Sequence, residues 1–278
     1  DAATGTASPY GILTIFSMLA WGLGYCGMPH ILIRFMAIRS EKELKKSSAI
    51  AIVWVVLSLG FTIAIGLLGR AFLYPEILGV TEGAPSAESV FIEMIQKIFI
   101  EKIPIPFIAG LFICGILAAV MSTADSQLLA ASSSASQNIL KEVFMKDMSE
   151  KTGMLIARIT VLVIALIGVF IARNPDSSVF QIVSFAWAGF GASFGPLVLL
   201  ALFWKRSTFQ GALCGMVSGG VMVFVWKFLI RPMGGALGIY ELLPAFLLGL
   251  AVNVIVSLLT PAPSREVQDE FDKVASMK

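Results

Sequence analysis

Residues 21–30 read WGLGYCGMPH. Gly22, Gly24, Gly27 and Pro29 fall within eight positions, inside an apolar run from Tyr10 to about Met36. In a helix interior Gly costs roughly 1 kcal/mol relative to alanine, and Pro about 3. In a bilayer, backbone groups freed by a break cannot turn to water. Irregular backbone therefore persists only where protein packs against it or where it lines a polar cavity. A broken helix at membrane depth points to a substrate or ion site. The competing reading is a kinked packing helix, since glycine is common in membrane helices. Trp21 and Tyr25, set among the breakers, favour a site.

The rest of the chain supplies the membrane. Hydrophobic residues make up 57% of it and charged residues 14%, against about 25% charged in a soluble domain. This is the composition of a polytopic, all-α membrane protein. A net charge of +2 is too small to suggest a nucleic-acid partner, and none is expected. Cys26, Cys114 and Cys214 lie in apolar segments without CxxC or Cys/His spacing, so they read as small hydrophobes, and neither a disulfide nor a metal site is supported by them. The first residue is Asp1, which leads us to expect a fragment or a processed chain.

A crossing needs roughly 20 apolar residues. Seven segments qualify, near 10–36, 49–73, 105–136, 155–172, 179–204, 209–230 and 241–259, within a transmembrane domain of residues 1–263. Residues 264–278 form a polar tail, expected to be loosely ordered. The first, third and fifth loops, with that tail, carry 14 of the 20 Lys and Arg residues, among them Lys146 and Lys278. By the positive-inside rule that side is cytoplasmic, which puts the amino end outside and the tail inside. Between spans two and three, residues 83–103 alternate polar and apolar side chains at helical spacing. They read equally as an interfacial helix or as an outer lid.

The third span holds GILAAVMSTADSQLLAASSSASQ. Gly115, Ala119, Ser122, Thr123 and Ser126 follow i, i+3, i+4 spacing and make one stripe of small or hydroxylated residues. Such a stripe lets helices approach, with hydroxyls bonding back to their own carbonyls. Alternatively its hydroxyl and carbonyl oxygens form the hard, neutral cage that suits Na⁺. Asp125 adds an intramembrane charge. Such residues usually face a bundle interior and mark ion paths, so Asp125 and Ser126 are read as tuning an ion site. Elsewhere, Gly211, Gly215 and Gly219 predict helix packing in span six. Gly189, Gly191, Gly195 and Pro196 make span five a possible hinge. No nucleophile–His–acid set, metal cluster or phosphate loop is present, so enzyme chemistry has no support.

The stretches WGLGYCGMPHILIRFMAIRS, GILAAVMSTADSQLLAASSSASQNI and SFAWAGFGASFGPLVLLALFW resemble the solute:sodium symporter family, and within it the sodium/proline branch. The resemblance runs from Tyr10 to Pro263. It implies a LeuT-type fold, in which spans one to five are the second inverted repeat and spans six and seven are added carboxy-terminal helices. The amino-terminal half of the same protein would then be an absent partner. It further implies Na⁺ as the co-transported ion, held by the Ala119 carbonyl and the Ser122 and Thr123 hydroxyls. The substrate, L-proline or a similar small amino acid, would sit against Trp21, Tyr25 and Pro29. Cys26 and Met28 stand where that motif usually carries Phe and Gln. The implied location is the bacterial cytoplasmic membrane and the implied mechanism alternating access. The other readings are a symporter for another small organic solute and a transporter-like membrane sensor.

Overall fold

The computed structural model describes residues 11–79, 81, 84–144, 149–173 and 178–276. Tyr10, Gly83, Lys146 and Lys278, named above, lie outside them. Among the described residues every regular element is helical. Among the described residues six helices are long and apolar enough to cross a membrane, and one further pair, Ile12–Gly27 with Pro29–Met36, is bent by 52° and makes a seventh if counted as one span. The chain separates into two compact units, one holding Ala37–Ala165 and the other joining Tyr10–Met36 to Leu166–Lys278.

The second unit opens with the broken span. Helices α1 (Ile12–Leu19) and α2 (Trp21–Gly24) lead into one 3₁₀ turn, Tyr25–Gly27. Met28 is extended, with φ −82° and ψ 116°, and α3 (Pro29–Met36) begins on the proline. The local chemistry explains the sequence of events. Proline forces its predecessor out of the helical region, lacks the N–H that the first helical turn leaves orphaned, and so starts a helix well.

The first unit contains α4 (Glu41–Phe72), α5 (Val90–Gln96) and α6 (Pro106–Ser133), the last continued by a π-helical stretch, Ser134–Phe144. Helix α4 starts eight residues before the apolar run, because Ser40 caps it by accepting the Glu43 N–H at 3.4 Å. The amphipathic stretch folds onto the ends of α4 and α6. Gly69 faces Val90 and Met94, Ile95 is buried, and Phe112 meets Phe91 and Phe99 at 6.0 and 5.5 Å between ring centroids. The unit boundary falls inside α7 (Glu150–Ile171). The most apolar windows of α4 and α7 bury nothing within the chain, as suits helices wetted by lipid.

Helices α8 (Val179–Phe203), α9 (Phe209–Val225) and α10 (Leu242–Leu259) form the core of the second unit. The small residues are the reason they meet. Side chains added at Gly211 and Gly215 would strike Asn253 of α10, and one at Gly219 would strike the Ala192 carbonyl of α8. The packing reading of that glycine repeat holds. The Ala192 carbonyl is the one that Pro196 cannot serve, and it lies against Gly219 and Gly249. Helix α8 therefore runs as one element through the segment expected to hinge. A buried polar chain fastens the other end of α9 to α10. Thr208 donates its N–H to Ser257 Oγ at 3.1 Å, and Ser257 donates to Asn253 Oδ1 at 3.2 Å.

The tail departs from expectation. Residues Arg265–Ala275 form α11, with Glu266 in the first turn and Lys273 in the last, the signs that favour the helix dipole. Val267, Phe271 and Val274 share one face. Lys205 pairs with Asp272, and the Gln268 amide donates to the Pro263 carbonyl at 2.8 Å. A stretch that polarity alone marks as loose is ordered by these local bonds.

Gly215→Ala should destabilise the protein by about 1–3 kcal/mol through overpacking against Asn253 and the Gly249 carbonyl. Gly60→Ala, where nothing lies within 4 Å, should not. Thermal melting of the detergent-purified variants checks this, and equal melting points would contradict the packing account.

Candidate functional site

The break is held open by α8. Added side chains at Gly24 and Gly27 would collide with Trp187 and with the Phe190 carbonyl, and Gly191 approaches the Gly24 backbone in return. Two of the three glycines in the motif therefore serve backbone-to-backbone contact. Gly22, with nothing within 4 Å, does not. The Trp187 indole N–H donates to the Trp21 carbonyl at 3.0 Å. A carbonyl at the broken end thus gains the partner that lipid cannot give.

Aromatic rings gather at the same point. Trp21 lies near-parallel to Trp187, Phe180 and Tyr240, with centroids 5.4, 5.6 and 5.9 Å away. Tyr25 meets Trp187 edge-on at 4.8 Å. Trp21 and Tyr25 are therefore brought together through Trp187, a residue the sequence reading passed over. Pro29 is half-buried at the first position of α3. Tyr240 arrives from the loop between α9 and α10. Its N–H donates to Ser17 Oγ at 2.7 Å, and its hydroxyl donates to the Ser184 carbonyl at 2.7 Å. Burial, and then the neighbouring Glu241 carboxylate, push the Tyr240 hydroxyl above its ordinary pKa, with Arg231 opposing. The phenol stays a proton donor at neutral pH.

A cavity of about 320 Å³ opens beside Trp21. Phe180, Tyr240 and Met18 line it with Gln181 and Ser184, and Lys227 and Arg231 stand on its wall. Glu241 holds the two cations. Its side chain is 1% exposed, and it accepts from Arg231 Nη1 at 2.8 Å while Lys227 Nζ stands 3.9 Å away. None of these three charges was singled out from the sequence. The signal was there: a lysine inside an otherwise apolar span, an arginine four residues on, and a glutamate opening the next span.

In the first unit, the hydroxyl stripe lies along α6. Ser122 Oγ and Thr123 Oγ1 both donate to the Ala119 carbonyl, at 3.0 and 3.3 Å, and Ser126 Oγ donates to the Ser122 carbonyl at 2.9 Å. Three oxygens of the expected sodium set therefore converge within one helical turn. Asp125 is exposed and has no hydrogen-bond or ion-pair partner among the described residues. No three His, Cys, Asp or Glu side chains come together among those residues, so the oxygens available to a cation on this stripe are neutral, apart from Asp125. The aromatic set and the hydroxyl set lie in different units, each described by itself.

Residues 5–219 match the model of the sodium:solute symporter family. The chain belongs to that family. Among its relatives, the sodium/proline symporter of Haemophilus influenzae is 43% identical over 275 residues, covering 98% of this chain and 52% of that protein. The Escherichia coli sodium/proline symporter is 42% identical, covering 93% and 50%. The high-affinity proline transporter of Bacillus subtilis is 42% identical, covering 94% and 52%. The chain thus spans about half the length of the curated relatives it matches. No solved structure matches it. These relatives are transporters and not enzymes, and the sodium:solute symporter chain is an integral membrane protein.

Trp187→Phe should lower stability by about 1 kcal/mol, since it leaves the Trp21 carbonyl unserved. Melting of the purified variant measures it. An unchanged midpoint would mean that the carbonyl is satisfied by another group.

Proposed function

We propose that the chain is the carboxy-terminal part of a sodium-coupled symporter that imports a small amino acid, L-proline foremost. The observation that carries this is its 43% identity, over 98% of its length, to a protein named as a sodium/proline symporter. The broken helix and the oxygen cluster on α6 support it on physical grounds. The proposal includes the second inverted repeat of a LeuT-type fold, an amino-terminal half supplied by the same protein, and the bacterial cytoplasmic membrane. It sets the amino end of the chain outside and its tail inside, on the strength of the Lys and Arg bias.

In this reading Na⁺, as cargo, uses the Ala119 carbonyl and the Ser122 and Thr123 hydroxyls. A hydroxyl has one proton to donate and two lone pairs to offer. The bonds that Ser122 and Thr123 make to Ala119 therefore leave their own oxygens able to accept a cation. The Ala119 carbonyl is different, because it serves the backbone ladder of α6 and also receives both hydroxyls. It becomes a ligand when those hydroxyls turn away, so ion binding is linked to a local change on α6. Asp125, unpaired and one turn from Ser122, tunes the potential there, with Ser126 beside it. Substrate docks at Trp21, Tyr25 and Pro29, where rings and a broken backbone meet. Coupling requires that ion and amino acid favour the same conformer, so that each raises the affinity of the other.

Radiolabelled proline uptake by the transporter that carries this chain should collapse when Na⁺ is replaced by choline. Thr123→Ala should raise the Na⁺ concentration for half-maximal uptake about tenfold, the order of one lost ion–oxygen contact. An unchanged Na⁺ requirement in Thr123→Ala would sink the ion-site assignment. Trp21→Ala should raise KM for proline, and a normal KM would remove the pocket assignment.

A further inference from the structure

The cavity beside Trp21 carries chemistry that neither the ion site nor the broken helix uses. The rings of Trp21, Phe180 and Tyr240 line it together with Lys227 and Arg231. Glu241 is the one carboxylate paired with those cations among the described residues, so the trio keeps a net charge of +1. The two cations are not equally engaged. Arg231 spends Nη1 on Glu241 at 2.8 Å and has further donors on the same planar guanidinium. Lys227 Nζ lies 3.9 Å from Glu241, beyond hydrogen-bond reach, and 3.9 Å from the centroid of the Phe185 ring. Its three N–H donors have no hydrogen bond among the described residues. Its charge is met by the Glu241 carboxylate and the Phe185 ring, and its N–H donors remain available to a ligand. Lys227 also sits in a π-helical turn, Trp226–Ile230, a distortion frequent at functional sites.

We propose that this cavity is a second docking site for the amino-acid substrate, in which Lys227 and Arg231 bind the carboxylate and Trp21 contacts the apolar side chain. The choice of ligand rests on the symporter reading above. A volume of about 320 Å³ lies at the small end of ligand pockets, which run about 300–1,000 Å³, and suits a small amino acid. One net positive charge meets one carboxylate. Gln181, which also lines the cavity, supplies an amide oxygen for the ammonium or imino group. Trp21 is shared with the pocket at the break, so the cavity acts as an anteroom. Substrate is oriented there by its carboxylate and then passes along the indole toward Tyr25. Glu241 does not line the cavity; it offsets one of the two positive charges and does not touch the ligand.

Equilibrium binding to the detergent-purified transporter that carries this chain tests the site, with L-proline, L-alanine and glycine each compared with its amide. The wild type should prefer the carboxylates. Lys227→Gln and Arg231→Gln should each weaken carboxylate binding about tenfold or more, the size expected for a charge-assisted hydrogen bond. Both should leave amide binding unchanged, so the preference falls. Lys227→Arg should restore it. Glu241→Gln, which keeps both cations, should retain the preference. The proposal is overturned if no carboxylate is preferred, if the two Gln variants bind like the wild type, or if Glu241→Gln loses the preference as Lys227→Gln does. That last result would make the trio purely structural. Carboxylate preference for alanine or glycine without any proline uptake would remove the proline assignment and leave this site standing.

Discussion

Four residues, Tyr25 to Met28, interrupt the first span, and hydrocarbon offers their backbone groups no partner. That constraint organises the second unit. Helix α8 must come close enough to cover the break, so Gly24, Gly27 and Gly191 carry no side chains. It must also donate, and the Trp187 indole does so at Trp21. A helix held this close needs its own support. Gly219 and Gly249, behind Ala192, bring α9 and α10 against α8. Tyr240 then closes the other flank by bonding both Ser17 and Ser184. The break is stable because three helices and a loop are built around it.

Much of this was legible in the sequence, for stated reasons. Composition and run length reveal membrane helices because lipid imposes a single demand on the backbone. The break was visible because three glycines and a proline within eight positions weaken any helix. The Gly211–Gly215–Gly219 repeat was visible because helix spacing puts those residues on one face. What escaped were relations between segments far apart in the chain. Trp187 and Tyr240 are ordinary aromatics until folding sets them 166 and 223 positions from their partners, Trp21 and Ser17. The Lys227–Arg231–Glu241 trio escaped because each charge sits at the edge of a span, where snorkelling is the common explanation. The tail helix escaped because polarity was read without its local bonds to Lys205 and Pro263.

The two candidate surfaces differ in kind. The aromatic site is preformed, with rings held by other rings and by hydrogen bonds. The α6 stripe is engaged with itself, its hydroxyls bonded to Ala119 and its oxygens exposed within this chain. A symporter needs this contrast. An ion can shift a conformational equilibrium only through contacts that differ between states, and hydroxyls that must turn to free a carbonyl provide such a difference. The relatives carry about as much chain again, and in the proposed arrangement that half completes both surfaces.

The central claim is that ion and amino acid stabilise one conformer. The direct measurement is proline affinity of the purified transporter as a function of Na⁺, paired with Na⁺ affinity as a function of proline. The account predicts that each ligand tightens the other by the same factor, as thermodynamic linkage requires. Proline binding that is indifferent to Na⁺ would contradict it.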